Sequence, residues 1–244
     1  MWHDSLMTTP LPVVLVHGAW HGAWCFAALQ HALDELGVPS YAVDLPGHGA
    51  STEPLSDLYG DADHVVGVLT RLGTPAVLVG HSYGGAVITE AATRHPEVAH
   101  LVYLTAFALE QGESVMSALA SFPVARVPLG LAIVPHDDGT SHIDPTKATE
   151  AFYGDCPAPV AQAAIARLSL QPMVTMTDAV TGSPRTTIAS TFIRCTKDQS
   201  IALVHQDVMA SRCGAVHTLH TDHSPFTSAA PATAAILHRI ATAS

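Results

Sequence analysis

Charge is scarce in this chain of 244 residues: Asp, Glu, Lys and Arg together make up 13 %, about half the usual share. Cations are scarcest, with ten Lys and Arg, only two of them lysine, against 21 Asp and Glu. A formal charge of -11 would repel a phosphate backbone, and no basic run offsets it, so nucleic acid is excluded as a partner. Cysteine is also sparse. Cys25, Cys156, Cys195 and Cys213 stand far apart with no C-x-x-C pair, which argues against a zinc ribbon or a dithiol redox motif and for reduced thiols. No apolar run approaches the roughly 20 residues a membrane helix needs, so no membrane partner is expected. The stretch before Val13 carries Asp4 and neither Lys nor Arg, the wrong charge order for a signal peptide, and the chain reads as cytoplasmic.

Apolar residues, by contrast, make up 48 %, enough at this length to bury a sizeable core. Short β-branched runs alternate with helical patterns. Strands are expected at Val13 to Val16, Tyr41 to Val43, Ala76 to Val79 and Leu101 to Leu104, then at Thr187 to Cys195 and Ala215 to Leu219. Helices are expected at Phe26 to Leu36, ending at Gly37, at Asp61 to Leu72, at Tyr83 to Arg94, ended by Pro96, at Leu203 to Met209 and at Pro231 to Ala241. The fold class is α/β, with a mostly parallel central sheet and helices on both faces. Alternation fails between Phe107 and Pro184, where only Pro159 to Leu168 reads as a helix. A structureless loop of that length is improbable in a compact domain, so residues 107–186 are expected to form a small cap inserted between core pieces 1–106 and 187–244.

The strongest chemical signal is Gly80-His81-Ser82-Tyr83-Gly84, a G-x-S-x-G pattern between an apolar strand and a helix. A serine at so sharp a turn exposes its hydroxyl, and the helix N-terminus directs N–H groups at the same spot. Such a nucleophile needs a histidine base and an orienting acid. Asp198 follows the strand ending at Cys195 and is the best-placed acid; Asp207 and Asp178 are the rivals, read as surface acids. His223 lies past the carboxyl end of the last strand and is preferred over His220 and His217 as base. Asp222 beside it suits a turn or cap. The amides of Ala19 and Tyr83 are the expected oxyanion donors, with Gly18 letting the backbone turn. Sixteen histidines invite a metal, yet no H-x-x-x-H or H-E-x-x-H pair falls on an expected helix, so no cofactor or metal is expected. His17, His48 and His81 read as loop-stabilising and the remainder as surface residues.

These residues together resemble the α/β-hydrolase superfamily, and within it the plant methyl esterases and hydroxynitrile lyases with their bacterial esterase relatives. The likeness is carried by Val14-Leu15-Val16-His17-Gly18-Ala19-Trp20-His21-Gly22-Ala23-Trp24, Gly80 to Gly85, Cys195-Thr196-Lys197-Asp198, Thr221-Asp222-His223 and Phe152-Tyr153-Gly154-Asp155-Cys156-Pro157. The resemblance implies Ser82 as nucleophile, His223 as base, Asp198 as acid, and Ala19 and Tyr83 as oxyanion donors. Lyases of this group carry a threonine after the first strand and a lysine after the catalytic histidine; this chain has Gly18 and Ser224, which favours ester hydrolysis over cyanohydrin cleavage. A weakly catalytic receptor on the same fold is the other alternative. Large apolar residues in or facing the insertion are the expected pocket lining: Trp20, Phe107, Met116, Leu119, Phe122, Phe152, Tyr153, Met173 and Met176. With few cations in the cap, the expected partner is a small, neutral, largely apolar ester. The sequence does not fix the oligomeric state, and a homodimer is compatible with it.

Overall fold

The protein is described as a computed structural model covering residues 9–95 and 97–243. Asp4 and His3 in residues 1–8, and Pro96 as the end of a helix, lie outside the described residues. Among the described residues there are nine strands: β1 (Val13–Val16), β2 (Ser40–Val43), β3 (Ala76–Ser82), β4 (Val98–Ala106), β5 (Ile133–Pro135), β6 (Thr140–Ile143), β7 (Gln171–Pro172), β8 (Ser190–Cys195) and β9 (Ala215–Leu219). Six of them build one sheet in the order β2-β1-β3-β4-β8-β9, with every neighbouring pair parallel. Parallel pairs require crossovers, and helices α1 (Ala27–Glu35), α2 (Leu58–Leu72), α3 (Gly84–Arg94) and α8 (Leu203–Ala210) supply them. The sheet is buried on both faces. Val14, Val16 and Leu78 pack with α2 and α3, while Val13, Leu15, Val77 and Val79 meet α1 and α10 (Ala230–Thr242), the helix after the short α9 (Pro225–Ser228), on the other side. This two-sided burial is why these strands read as continuous apolar runs.

Helix ends follow local chemistry. Helix α2 starts three residues before the expected Asp61 because the Asp57 carboxylate accepts the Gly60 amide at 2.8 Å and caps it. Gly37 and Gly73, with φ of 71° and 63°, close α1 and α2 in the left-handed region open to glycine. Strand β8 starts at Ser190, later than Thr187, because Pro184–Thr186 form a 3-10 turn.

Between β4 and β8 the chain is built of short elements of its own. It carries α4 (Val115–Ser121), α5 (Leu129–Ala132), α6 (Pro145–Phe152) and α7 (Ala158–Ile165), with a second, antiparallel sheet β5-β6-β7. Strands of two to four residues leave no readable alternation. One irregularity of the main sheet lies beside the G-x-S-x-G turn. His81 pairs with Leu104 but Ser82 pairs with Ala106, so Thr105 is the extra residue of a bulge, and its φ is 38°.

Candidate active site

Ser82 ends β3 with φ 53°, a left-handed conformation that a serine adopts only under constraint. The glycines around it are required by space. A Cβ on Gly80 would come within 2.4 Å of the Gly84 carbonyl oxygen, and one on Gly84 within 2.6 Å of the Val16 oxygen. Gly18 matters in the same way: its Cβ would stand 2.7 Å from the Ser82 Cβ, so this place has no room for the threonine of the lyases. Its contribution is clearance rather than a positive φ. Tyr83 caps α3, so its amide lies at the helix N-terminus, where N–H groups lack intrahelical acceptors. Ala19 follows Gly18 on the neighbouring loop, and the His21 Nδ1–H donates to its carbonyl at 2.8 Å, fixing that peptide.

His223 and Asp198 meet across the carboxyl end of the sheet. The His223 Nδ1–H donates to Asp198 Oδ2 at 2.7 Å, with both side chains buried. This bond leaves Nε2 as the ring's free acceptor. Asp198 is held further by the amides of Ser200 at 2.6 Å and Ile201 at 2.9 Å on Oδ1, and by the Thr105 hydroxyl at 2.5 Å on Oδ2. His81, next to Ser82 in the chain, donates from Nε2 to the His223 carbonyl at 2.8 Å and so ties the histidine loop to the elbow. Asp222 accepts the amides of Ser224 and Asp155, the turn role expected of it. The rival residues lie elsewhere: Asp207 pairs with Arg194, Asp178 accepts the Leu58 amide, His220 bonds Thr196, and His217 stays within β9.

The neighbouring histidines are neutral by burial. Desolvation pushes His17 and His81 well below 6.5, aided by His48 for the first and His223 for the second, and it takes His21 down to about 4. His21 and His205 correct the expectation of surface histidines, since both are buried; the Tyr153 hydroxyl donates to His21 Nε2 at 2.8 Å, and His205 bonds the Pro123 carbonyl. Burial of His21 and His205 was not readable because neither falls in a periodic apolar pattern.

Of the expected pocket residues, Phe152 stands with its ring centre 5.9 Å from that of His223 and 6.3 Å from that of Trp20. Trp20 is laced to the segment above it, donating from Nε1 to Ser141 at 3.1 Å and from its amide to Gln171 at 3.2 Å. Phe107 donates its amide to the Ser82 carbonyl at 3.0 Å. Met176 is buried, and Leu119 and Met173 are partly buried, all in the larger apolar cluster. Phe122 belongs to the same cluster and also packs on His205 and Arg212. Met116 is a correction: it is 52 % exposed, because Val115 and Ala118 carry the buried face of α4.

Residues 13–236 match the alpha/beta hydrolase family. The chain belongs to that family. Among its relatives, the carbendazim hydrolyzing esterase of Nocardioides sp. (strain SG-4G) is 40 % identical over 119 residues, 43 % of this chain and 46 % of that one. The pFDCC methylesterase MES16 of Arabidopsis thaliana is 38 % identical over 106 residues, 41 % of this chain and 40 % of that one. The matched regions thus span less than half of either relative. Over nearly the full length, the crystal structure of a pyrethroid hydrolase from Sphingobium faniae JZ-2 superimposes with a TM-score of 0.82 at 26 % identity, covering 96 % of this chain and 98 % of that one. This alpha/beta hydrolase therefore has relatives among both plant methylesterases and bacterial esterases. Among the described residues, no helix is long and apolar enough to cross a membrane.

Proposed function

We propose that this alpha/beta hydrolase is a serine carboxylesterase acting on a small, neutral, largely apolar ester. The observation that carries the reading is the pairing of a serine on a left-handed elbow with a buried His223–Asp198 hydrogen bond tied to that elbow through His81. In the proposed cycle Ser82 Oγ attacks the ester carbonyl while His223 Nε2 takes its proton. The oxyanion is held by the Ala19 and Tyr83 amides. The alcohol leaves with the proton from His223, and the acyl group remains on Ser82. Water then attacks the acyl-enzyme, giving its proton to His223, which returns it to Ser82 as the carboxylic acid departs. Asp198 holds the ring in the tautomer that keeps Nε2 free.

Residues 107–186 act in this reading as the cap, with Phe152 and the core's Trp20 forming an apolar roof. The cap holds four cations, of which Arg185 pairs with Glu110, Lys147 pairs with Asp144 and Arg167 lies over the Trp24 ring. A carboxylate or phosphate substrate would thus meet little positive charge. The names of the relatives, a carbendazim hydrolyzing esterase and a methylesterase, support ester hydrolysis.

Release of p-nitrophenol from its acetate and butyrate esters tests the reading. The wild type should exceed Ser82→Ala by at least about a thousandfold in kcat. A wild type no faster than Ser82→Ala on either ester overturns the proposal.

A further inference from the structure

We propose that Thr105 is a positioning residue of the triad: its hydroxyl, aimed by the bulge in β4, locks the plane of the Asp198 carboxylate against His223. The inference rests on the serine-esterase reading above.

Three observations converge on this residue. Thr105 is buried with φ 38°, and a β-branched side chain in the left-handed region is a genuine outlier that persists only where the surroundings over-determine it. It is also the extra residue of the β3–β4 bulge, directly opposite the His81–Ser82 step. Finally, its hydroxyl donates at 2.5 Å to Asp198 Oδ2, the oxygen that also receives the His223 Nδ1–H at 2.7 Å.

The terminal torsion of an aspartate is soft, so hydrogen bonds must set its plane. Two backbone amides fix Oδ1 of Asp198, from Ser200 and Ile201. On Oδ2 the imidazole would be the only other constraint, and the imidazole is the group being oriented. Thr105 supplies a donor that does not move during the reaction. The same bulge serves the nucleophile, because Phe107, two residues on, donates its amide to the Ser82 carbonyl at 3.0 Å. One irregularity in β4 therefore sets the spacing between nucleophile and acid. A regular strand would turn the position 105 side chain to another face and leave Oδ2 with the histidine alone.

The experiment compares wild type with Thr105→Val, Thr105→Ala and Thr105→Ser on p-nitrophenyl butyrate, with labelling of Ser82 by a fluorophosphonate probe as a second rate. Val and Ala remove the hydroxyl with and without the branched shape, so a folding defect in one leaves the other to decide; circular dichroism checks both. Kcat and the labelling rate should fall about tenfold or more in the Val and Ala variants, with KM within about twofold. Thr105→Ser should keep at least about a third of wild-type kcat. A folded Val or Ala variant with kcat within twofold of wild type overturns the inference, as does a Ser variant as impaired as Val. A wild type that neither turns over ester nor takes the probe at Ser82 overturns the esterase reading itself, and this inference with it. Wild-type activity with an unaffected Val variant removes Thr105 alone.

Discussion

Asp61 is buried beneath the Tyr83 phenol, which donates to its Oδ2 at 2.8 Å, while Oδ1 finds no partner. Burial pushes its carboxyl from 3.8 up to about 7. The folded chain thus holds this proton more tightly than the unfolded chain, so the stability tied to Asp61 is whole below pH 3.8 and declines as the pH rises toward 7. Between pH 5 and pH 8 the loss should be about 3 kcal/mol. Urea unfolding should show Asp61→Asn gaining on the wild type by about that amount across this interval; a constant difference between the two proteins at pH 5 and pH 8 would refute it. At this scale the candidate triad was legible in the sequence and its supports were not. Ser82, Asp198 and His223 sit in a motif or at the ends of readable strands, where chain order alone suggests their roles. A lone Thr105 or Asp61 carries no such pattern. The demand for a left-handed threonine arises only when β3 and β4 pair out of step, and burial of Asp61 only when α2 docks under Tyr83.

Helix α3 does more than carry Tyr83 at its start. Its Glu90, with a fully buried side chain, accepts the Thr181 amide at 2.7 Å and hydroxyl at 2.9 Å, and receives Arg94 at 2.6 Å. Helix α3 thereby clasps the end of the segment that joins β4 to β8. Glu90→Ala strands a buried amide and the arginine, and should cost about 3 kcal/mol in urea unfolding, with Glu90→Gln losing less because an acceptor oxygen remains. An alanine variant within 1 kcal/mol of wild type, on the order of one weak hydrogen bond, would mean the clasp is idle. Core elements such as β1 and β3 were legible because burial on both faces writes an apolar run into the sequence. The antiparallel β5-β6-β7 sheet was illegible for the opposite reason: its strands are too short for a period, and its pairing rests on partners such as Ser141 and Gln171, which look like loop residues.

Across the whole molecule, several histidines are folded in their neutral form. For His17, His21 and His81 the folded value lies below the ordinary 6.5 because of burial, so the stability they confer is present above pH 6.5 and lost as the pH falls, for His21 through about 4. His21 alone should cost about 2 kcal/mol by pH 5. Asp61 works in the opposite sense, so the Asp61→Asn variant exposes the effect. Its urea midpoint should fall steadily from pH 7.5 to pH 5, and a flat profile would contradict burial of the three rings as neutral groups. The bonds that close the site also have a kinetic meaning. Thr105 reaches Asp198 across 93 positions and His81 reaches His223 across 142. Loops of that span close late, after strands and helices with local contacts have formed. The nucleophile's own strand and helix are contiguous in sequence, whereas acid and base join them only through these long-range bonds, so the site is complete only when the β8–β9 end of the sheet has docked on β4.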